Sequence, residues 1–202
     1  MGTFDSTPKP PTQGRPVATS HADIERAAFR LFNEHGFERT TVDAIAREVG
    51  IGRRTFFRYF RSKNDIPWGQ FDRTLDNFRR ILDAMPTDLP LHQAVHQAVV
   101  SFNEFDLDAH PSHRERMALI LSTPSLQAHS VLRYEEWRSV IATYVGRRLG
   151  VEADELLPRT VGQVSLALAL ASYSTWLEHP DASLHDILDE AFADLRGYLT
   201  EA

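Results

Sequence analysis

The sequence predicts an all-α fold of about nine helices, with a helix-turn-helix near the N-terminus and a larger helical body after it. Three observations predict it. From Ser20 onward apolar residues recur at a spacing of three to four, the period of a helix with one buried face. Pro90, Pro111, Pro124 and Pro180 fall at the edges of these periodic segments, where proline is tolerated. Alternating strand-like runs bounded by hairpin turns are missing.

Residues 1–19 carry Pro8, Pro10, Pro11 and Pro16 and show no apolar period, which reads as a disordered tail. Ser20 followed by Asp23 is a capping-box variant, and Ile24, Ala27, Ala28, Leu31 and Phe32 form a stripe that ends at Gly36. Thr41 can cap a second helix with Val42, Ile45, Ala46 and Val49 on its buried face, stopped by Gly50. A third segment is expected from Arg53 to Phe60. Ser62 with Asp65 repeats the cap signature before a fourth that reaches Ala84. Pro67 lies inside that fourth segment, so either a kink or a later true start is expected there. Further helices are expected over 90–105, 112–122, 125–149, 155–178 and 184–198. The domain boundaries that follow are a tail at 1–19, a helix-turn-helix unit at 20–66 and a C-terminal unit at 67–202.

At 202 residues, 42% hydrophobic and 25% charged, the chain can bury a substantial core. It has no apolar run long enough to cross a bilayer and no basic-then-apolar leader, so a cytoplasmic, nucleoid-associated protein is expected. The absence of cysteine excludes disulfides, a thiolate nucleophile and cysteine-ligated metal. The net charge of −6 argues at first against nucleic acid, but its distribution reverses that. Residues 1–66 hold 11 Lys and Arg against 8 Asp and Glu, a net of +3. Residues 67–202 hold 11 against 20, a net of −9. A basic head on an acidic body can hold DNA at one end.

The informative stretch runs from Thr41 to Lys63. Two short helices joined by a glycine-containing turn make a helix-turn-helix. Phe56 and Phe60, four residues apart, should face inward, which directs Arg53, Arg54, Thr55 and Phe57 outward. Five of the eleven residues from Arg53 to Lys63 are basic and none is acidic. The major groove admits one helix, so Arg53 or Arg54 can pair with guanine O6 and N7 and the Thr55 methyl can meet a thymine methyl. Thr41, Tyr59 and Lys63 suit phosphate contacts that set register. The alternative for this stretch is a solvated, arginine-rich face of a helical bundle.

These residues carry a family resemblance. Ala28–Phe37 (AFRLFNEHGF), Thr40–Ala46 (TTVDAIA), Gly50–Phe60 (GIGRRTFFRYF) and Ser62–Lys63 resemble the N-terminal domain of TetR/AcrR-type transcriptional regulators. The resemblance implies a homodimeric repressor on a palindromic double-stranded DNA operator, with a C-terminal domain for ligand and partner subunit. It places the DNA-facing positions at Thr41, Arg53, Arg54, Thr55, Phe57, Tyr59 and Lys63. Phe57 departs from a common tyrosine and Gly52 from a frequent serine cap. The run Arg53–Gly69, together with Phe102–Phe105 (FNEF), His113–Met117 (HRERM) and Leu126–Ser130 (LQAHS), further resembles regulators associated with mycofactocin biosynthesis. That resemblance implies control of mycofactocin or linked redox genes and a small apolar effector of the acyl-CoA class.

In the C-terminal body, the segment 155–178 is apolar nearly all round, with Val161, Val164, Leu166, Leu168 and Leu170. It is expected to be buried on several sides, by the bundle or by a second subunit. With the last helix (Leu184, Ile187, Leu188, Phe192, Leu195) it is the expected dimer interface, and burial within a monomer is the alternative. Candidate effector-pocket residues are Trp68, Phe71, Phe102 and Phe105, with Tyr134, Trp137, Tyr173 and Trp176; the alternative for each is plain core. Arg114, Arg116, Arg133 and Arg138 are candidate phosphate donors at a pocket mouth. His92 and His96 share a helix face, and His110 and His113 form a second pair. Nothing joins them into a cluster, and the HQAVH run lacks the glutamate of a metalloprotease helix, so no metal and no cofactor are expected. No phosphate-binding glycine loop or serine elbow appears, which disfavours an enzyme. A DNA-binding architectural protein without an effector, or a helical enzyme with a fortuitous basic helix-turn-helix, are the alternatives.

Overall fold

The computed structural model describes residues 19–106 and 108–200. The tail expected at 1–19 therefore lies almost wholly outside the described residues. Among those described, nine α-helices and one 3₁₀ segment follow in order, and no strand occurs. Helix α1 spans His21–His35 and α2 spans Val42–Glu48. Helix α3 spans Arg53–Phe56, and the 3₁₀ segment spans Lys63–Trp68. Helix α4 spans Phe71–Asp83, α5 Leu91–Phe102 and α6 His113–Ser122. Helices α7 (Pro124–Leu149), α8 (Leu156–Glu178) and α9 (Leu184–Thr200) complete the body.

Local chemistry sets the starts. The Ser20 hydroxyl accepts from the Asp23 amide at 3.2 Å, and Asp23 accepts from the Ser20 amide at 2.9 Å, which satisfies two orphan donors reciprocally. Thr41 accepts from the Ala44 amide at 3.1 Å and caps α2. A second capping box, Ser112 with Glu115, opens α6.

Two of the expected elements are corrected. The third helix ends at Phe56, not Phe60. Beyond it the amides of Arg58 and Tyr59 bond three residues back, to Thr55 and Phe56, so the chain tightens into turns. Ser62 does not open one long helix to Ala84. Its hydroxyl donates to Asp65, and no side-chain cap bond is made. Pro67 confines this stretch to a 3₁₀ segment, Gly69 turns the chain at φ +58°, and the true start is Phe71. Gly69 also approaches α6 closely, since a Cβ there would stand 3.3 Å from the Arg116 guanidinium.

Buried apolar side chains form two clusters. The first joins α1, α2 and α3 through Ile24, Phe32, Ile45, Phe56 and Phe60 and extends to Ile66. The second fills the body around Phe78, Leu82, Val99, Ile141 and Leu188. Leu126, on the first turn of α7, is 0% exposed and belongs to the first cluster, so α7 serves both. Helix α8 packs on α7 and α9, yet Leu156, Leu157 and Val164 remain exposed on it, as do Tyr198 and Leu199 on α9.

Candidate nucleic-acid interface and internal cavity

Phe56 and Phe60 both point into the first cluster, at 0% and 3% exposure. The opposite face of α3 therefore carries Arg53 and Arg54, both exposed, with Phe57 exposed just beyond and Thr55 half-buried. Arg53 donates to both carboxylate oxygens of Asp43 on α2, at 3.1 and 3.2 Å, and its guanidinium lies 5.5 Å from the Phe57 ring centre. Arg54, Arg58 and Arg61 are exposed and form no ion pair among the described residues. Thr41 is exposed at the start of α2.

Tyr59 and Lys63 occupy a different setting from the exposed positions. The Tyr59 hydroxyl donates to the Thr19 carbonyl, and its ring meets His21 edge-on. The Lys63 ammonium donates to the Phe37 carbonyl at 2.6 Å and sits 4.2 Å over the Phe37 ring. Burial holds its pKa below the ordinary lysine value, against the Glu38 charge that raises it. Tyr59 thus ties the loop after α3 to the start of α1, and Lys63 ties it to the turn after α1.

In the body, a cavity of about 350 Å³ opens between the 3₁₀ segment, the start of α4, the end of α5, α6, α7 and α8. Seven of the eight expected aromatics line it: Trp68, Phe71, Phe102, Phe105, Tyr134, Trp137 and Tyr173. Trp176 does not. Its indole donates to the Ala182 carbonyl at 3.1 Å, and the Arg114 guanidinium lies 4.0 Å over its ring. Sequence reasoning missed Glu25, Asn103 and Met117 among the lining residues. Glu25 carried one faint signal, a carboxylate directly beside Ile24 on the buried stripe of α1.

One polar line crosses the aromatic wall. His113 Nε2 lies 3.0 Å from the Tyr173 hydroxyl, which donates to the Asn103 side-chain carbonyl, and the Asn103 amide donates to the Val99 carbonyl at 2.7 Å. Burial, then the nearby Arg116 charge, pushes His113 down to about 3, so the imidazole is neutral. Burial raises the Tyr173 and Tyr134 phenols. This wall offers neutral hydrogen-bonding groups and aromatic surface, a setting for an uncharged apolar guest.

The four arginines expected as phosphate donors are committed within the chain. Arg114 donates to the Trp176 carbonyl at 2.8 Å, and Arg133 pairs with Asp65, Asp72 and Glu136. Arg138 pairs with Glu135, and Arg116 with Glu25. Among the histidines, His96 lies 2.7 Å from Asp189 and stacks on Phe192, while His92 is exposed. No group of three or more His, Asp or Glu side chains among the described residues is placed to hold a metal ion.

Residues 24–66 match the bacterial regulatory proteins of the tetR family, and residues 89–200 match the MftR C-terminal domain. The chain is 43% identical to the Mycobacterium tuberculosis regulator MftR, named for mycofactocin biosynthesis, over 89% of this chain and 90% of that one. Its fold is similar to that of the fatty acid degradation regulator FadR from Bacillus halodurans, with a TM-score of 0.62 at 18% identity, over 86% of this chain and 96% of that one. It is also similar to Thermus thermophilus FadR in complex with lauroyl-CoA, with a TM-score of 0.54 at 19% identity, over 86% and 92% of the two chains.

Proposed function

The chain belongs to the tetR family of bacterial regulatory proteins, and from that premise we propose that it is a homodimeric, ligand-responsive repressor of a palindromic operator. Residues 20–66 form its DNA-reading unit and residues 67–202 its effector and dimerisation unit. Arg53, Arg54 and Thr55 read base edges in the major groove, Phe57 packs beside them, and Thr41 meets a phosphate. Tyr59 and Lys63 touch the backbone only at the margin, since their polar tips are already held within the chain. The second subunit covers the α8–α9 face, where Leu156, Leu157 and Val164 are exposed. Two-fold symmetry then sets two α3 helices on successive major grooves, about 34 Å apart.

The observation that carries the ligand-responsive part is the aromatic cavity, which borders the 3₁₀ segment leaving the DNA-reading unit. The likeness of the chain to MftR supports control of mycofactocin or associated redox genes. An acyl thioester is the proposed effector class, supported by the apolar lining and by the FadR–lauroyl-CoA relative. The cavity suits the acyl chain rather than nucleotide phosphates, because Arg116, the arginine in its wall, already faces Glu25.

The test is to enrich genomic fragments on the purified protein, with and without acyl thioesters of graded chain length. Recovery of a palindromic site near mycofactocin genes, lost on adding a long-chain thioester but not free coenzyme A, is the expected result. Occupation of single asymmetric sites by a stable monomer would overturn the dimeric reading. Retention of the site at every chain length would overturn the effector class.

A further inference from the structure

Glu25 is a carboxylate on α1, in the DNA-reading unit, yet it is 6% exposed. Its partner is Arg116, which comes from α6 some ninety residues later in the chain. Arg116 also lies 3.4 and 3.3 Å from the carbonyls of Ile66 and Pro67 in the 3₁₀ segment, and 5.5 Å from the Phe29 ring of α1. A single α6 side chain therefore holds both α1 and the 3₁₀ segment that leads into α4.

The cavity supplies an independent observation. Outside it, between α1 and the loop from α5 to α6, runs a groove of about 420 Å³. Glu25 and Arg116 line both spaces, as do Phe105 and His113, whose rings are stacked with centres 3.3 Å apart. The ion pair and the ring pair thus stand on the boundary between inner cavity and outer groove.

We propose that the Glu25–Arg116 pair is a latch at the mouth of the cavity, opened by a ligand seated there, whose opening releases α1 and the 3₁₀ segment from α6. This rests on the cavity being a ligand site, as proposed above. A buried carboxylate is tolerable only while its charge-assisted partner stays in place. A guest that pushes the guanidinium aside leaves Glu25 without compensation, and α1 must move to return the carboxylate to water. The guest accordingly binds the released arrangement better than the latched one, which is the differential affinity any such shift requires. Because Arg116 and Glu25 cancel and His113 is neutral, the part of the guest that passes the mouth is uncharged.

The experiment uses the full chain and N-phenyl-1-naphthylamine, an uncharged apolar fluorophore, with energy transfer from Trp68 and Trp137 reporting occupancy. Amide hydrogen exchange over residues 21–35 is read with and without saturating probe. Exchange in α1 should rise about fivefold on occupancy, the lower range of site-to-site coupling. Glu25→Gln should raise α1 exchange without probe and erase the further response, while Arg116→Lys, which keeps the charge, should retain part of the protection that Glu25→Gln loses. Probe bound with α1 exchange unchanged, or a full response surviving in Glu25→Gln, would sink the latch and leave the cavity reading standing. Absence of probe binding would overturn the cavity reading and the latch with it.

Discussion

Arg53 at the start of α3 donates to both carboxylate oxygens of Asp43 on α2, so an acidic side chain holds the arginine proposed to read base edges. Both side chains are more than half exposed, so the pair contributes little to stability. Its proposed role is orientation. Arg53→Ala should cost about 1–3 kcal/mol of discrimination against a changed base in the half-site. Asp43→Asn should leave the melting temperature unchanged while strengthening non-specific binding, because one repulsive charge leaves the phosphate-facing surface. Fluorescence anisotropy across a salt series, on operator and scrambled duplexes, measures both.

Lys63 presents a different balance. Its ammonium caps the Phe37 carbonyl and covers the Phe37 ring, so Lys63→Met should lower folding stability by about 1.5–3 kcal/mol, the range for a hydrogen bond to a charged group. A purely phosphate-binding lysine would lower only DNA affinity. Urea denaturation of the free protein separates the two.

His113 makes stability depend on pH. Its folded-state pKa, about 3, lies below the unfolded value of 6.5. The unfolded chain therefore binds a proton that the folded chain refuses, and stability falls as pH drops from about 6.5 toward 3, then levels off. Between pH 7 and pH 5 the loss from this group should be about 2 kcal/mol. His113→Phe should remove that slope, measured by denaturant titration at each pH, while sparing the acidic transitions of the carboxylates below pH 5.

Leu126 tests how the two clusters are joined. It is fully buried among residues of α1 and the 3₁₀ segment although it belongs to α7. Leu126→Ala should destabilise the chain by about 2–5 kcal/mol. The loss should appear first in α1–α3 by hydrogen exchange, because the cavity it leaves lies in their core.

The proposed subunit contact is probed at Val164, 38% exposed on α8. Val164→Arg should turn a dimer into a folded monomer, read by light scattering, and weaken operator binding by far more than non-specific binding. A variant that stays dimeric would move the interface elsewhere.

Much of this architecture was legible because it rests on interactions within a few residues. The Ser20–Asp23 cap, the Thr41 cap and the inward pair Phe56–Phe60 each close over three or four positions, and each stands as expected. The helix edges near Pro90, Pro124 and Pro180 follow from a missing amide. The extent of α3 was not legible, because its end depends on how the turn after Phe56 docks. Nor was the committed state of Arg114, Arg116, Arg133 and Arg138, which the charge pattern alone offered as free donors.

The amino-acid order thus specified the helical class, the exposed basic face of α3 and the aromatic stock of the body, since periodicity, capping and composition are local quantities. Packing assigned the partners. It set Arg116 against Glu25, placed Leu126 in the core of α1–α3, gathered seven aromatics around one cavity and left Trp176 outside it. Those outcomes join side chains many tens of residues apart, and their energies depend on burial and distance that exist only once the helices have met.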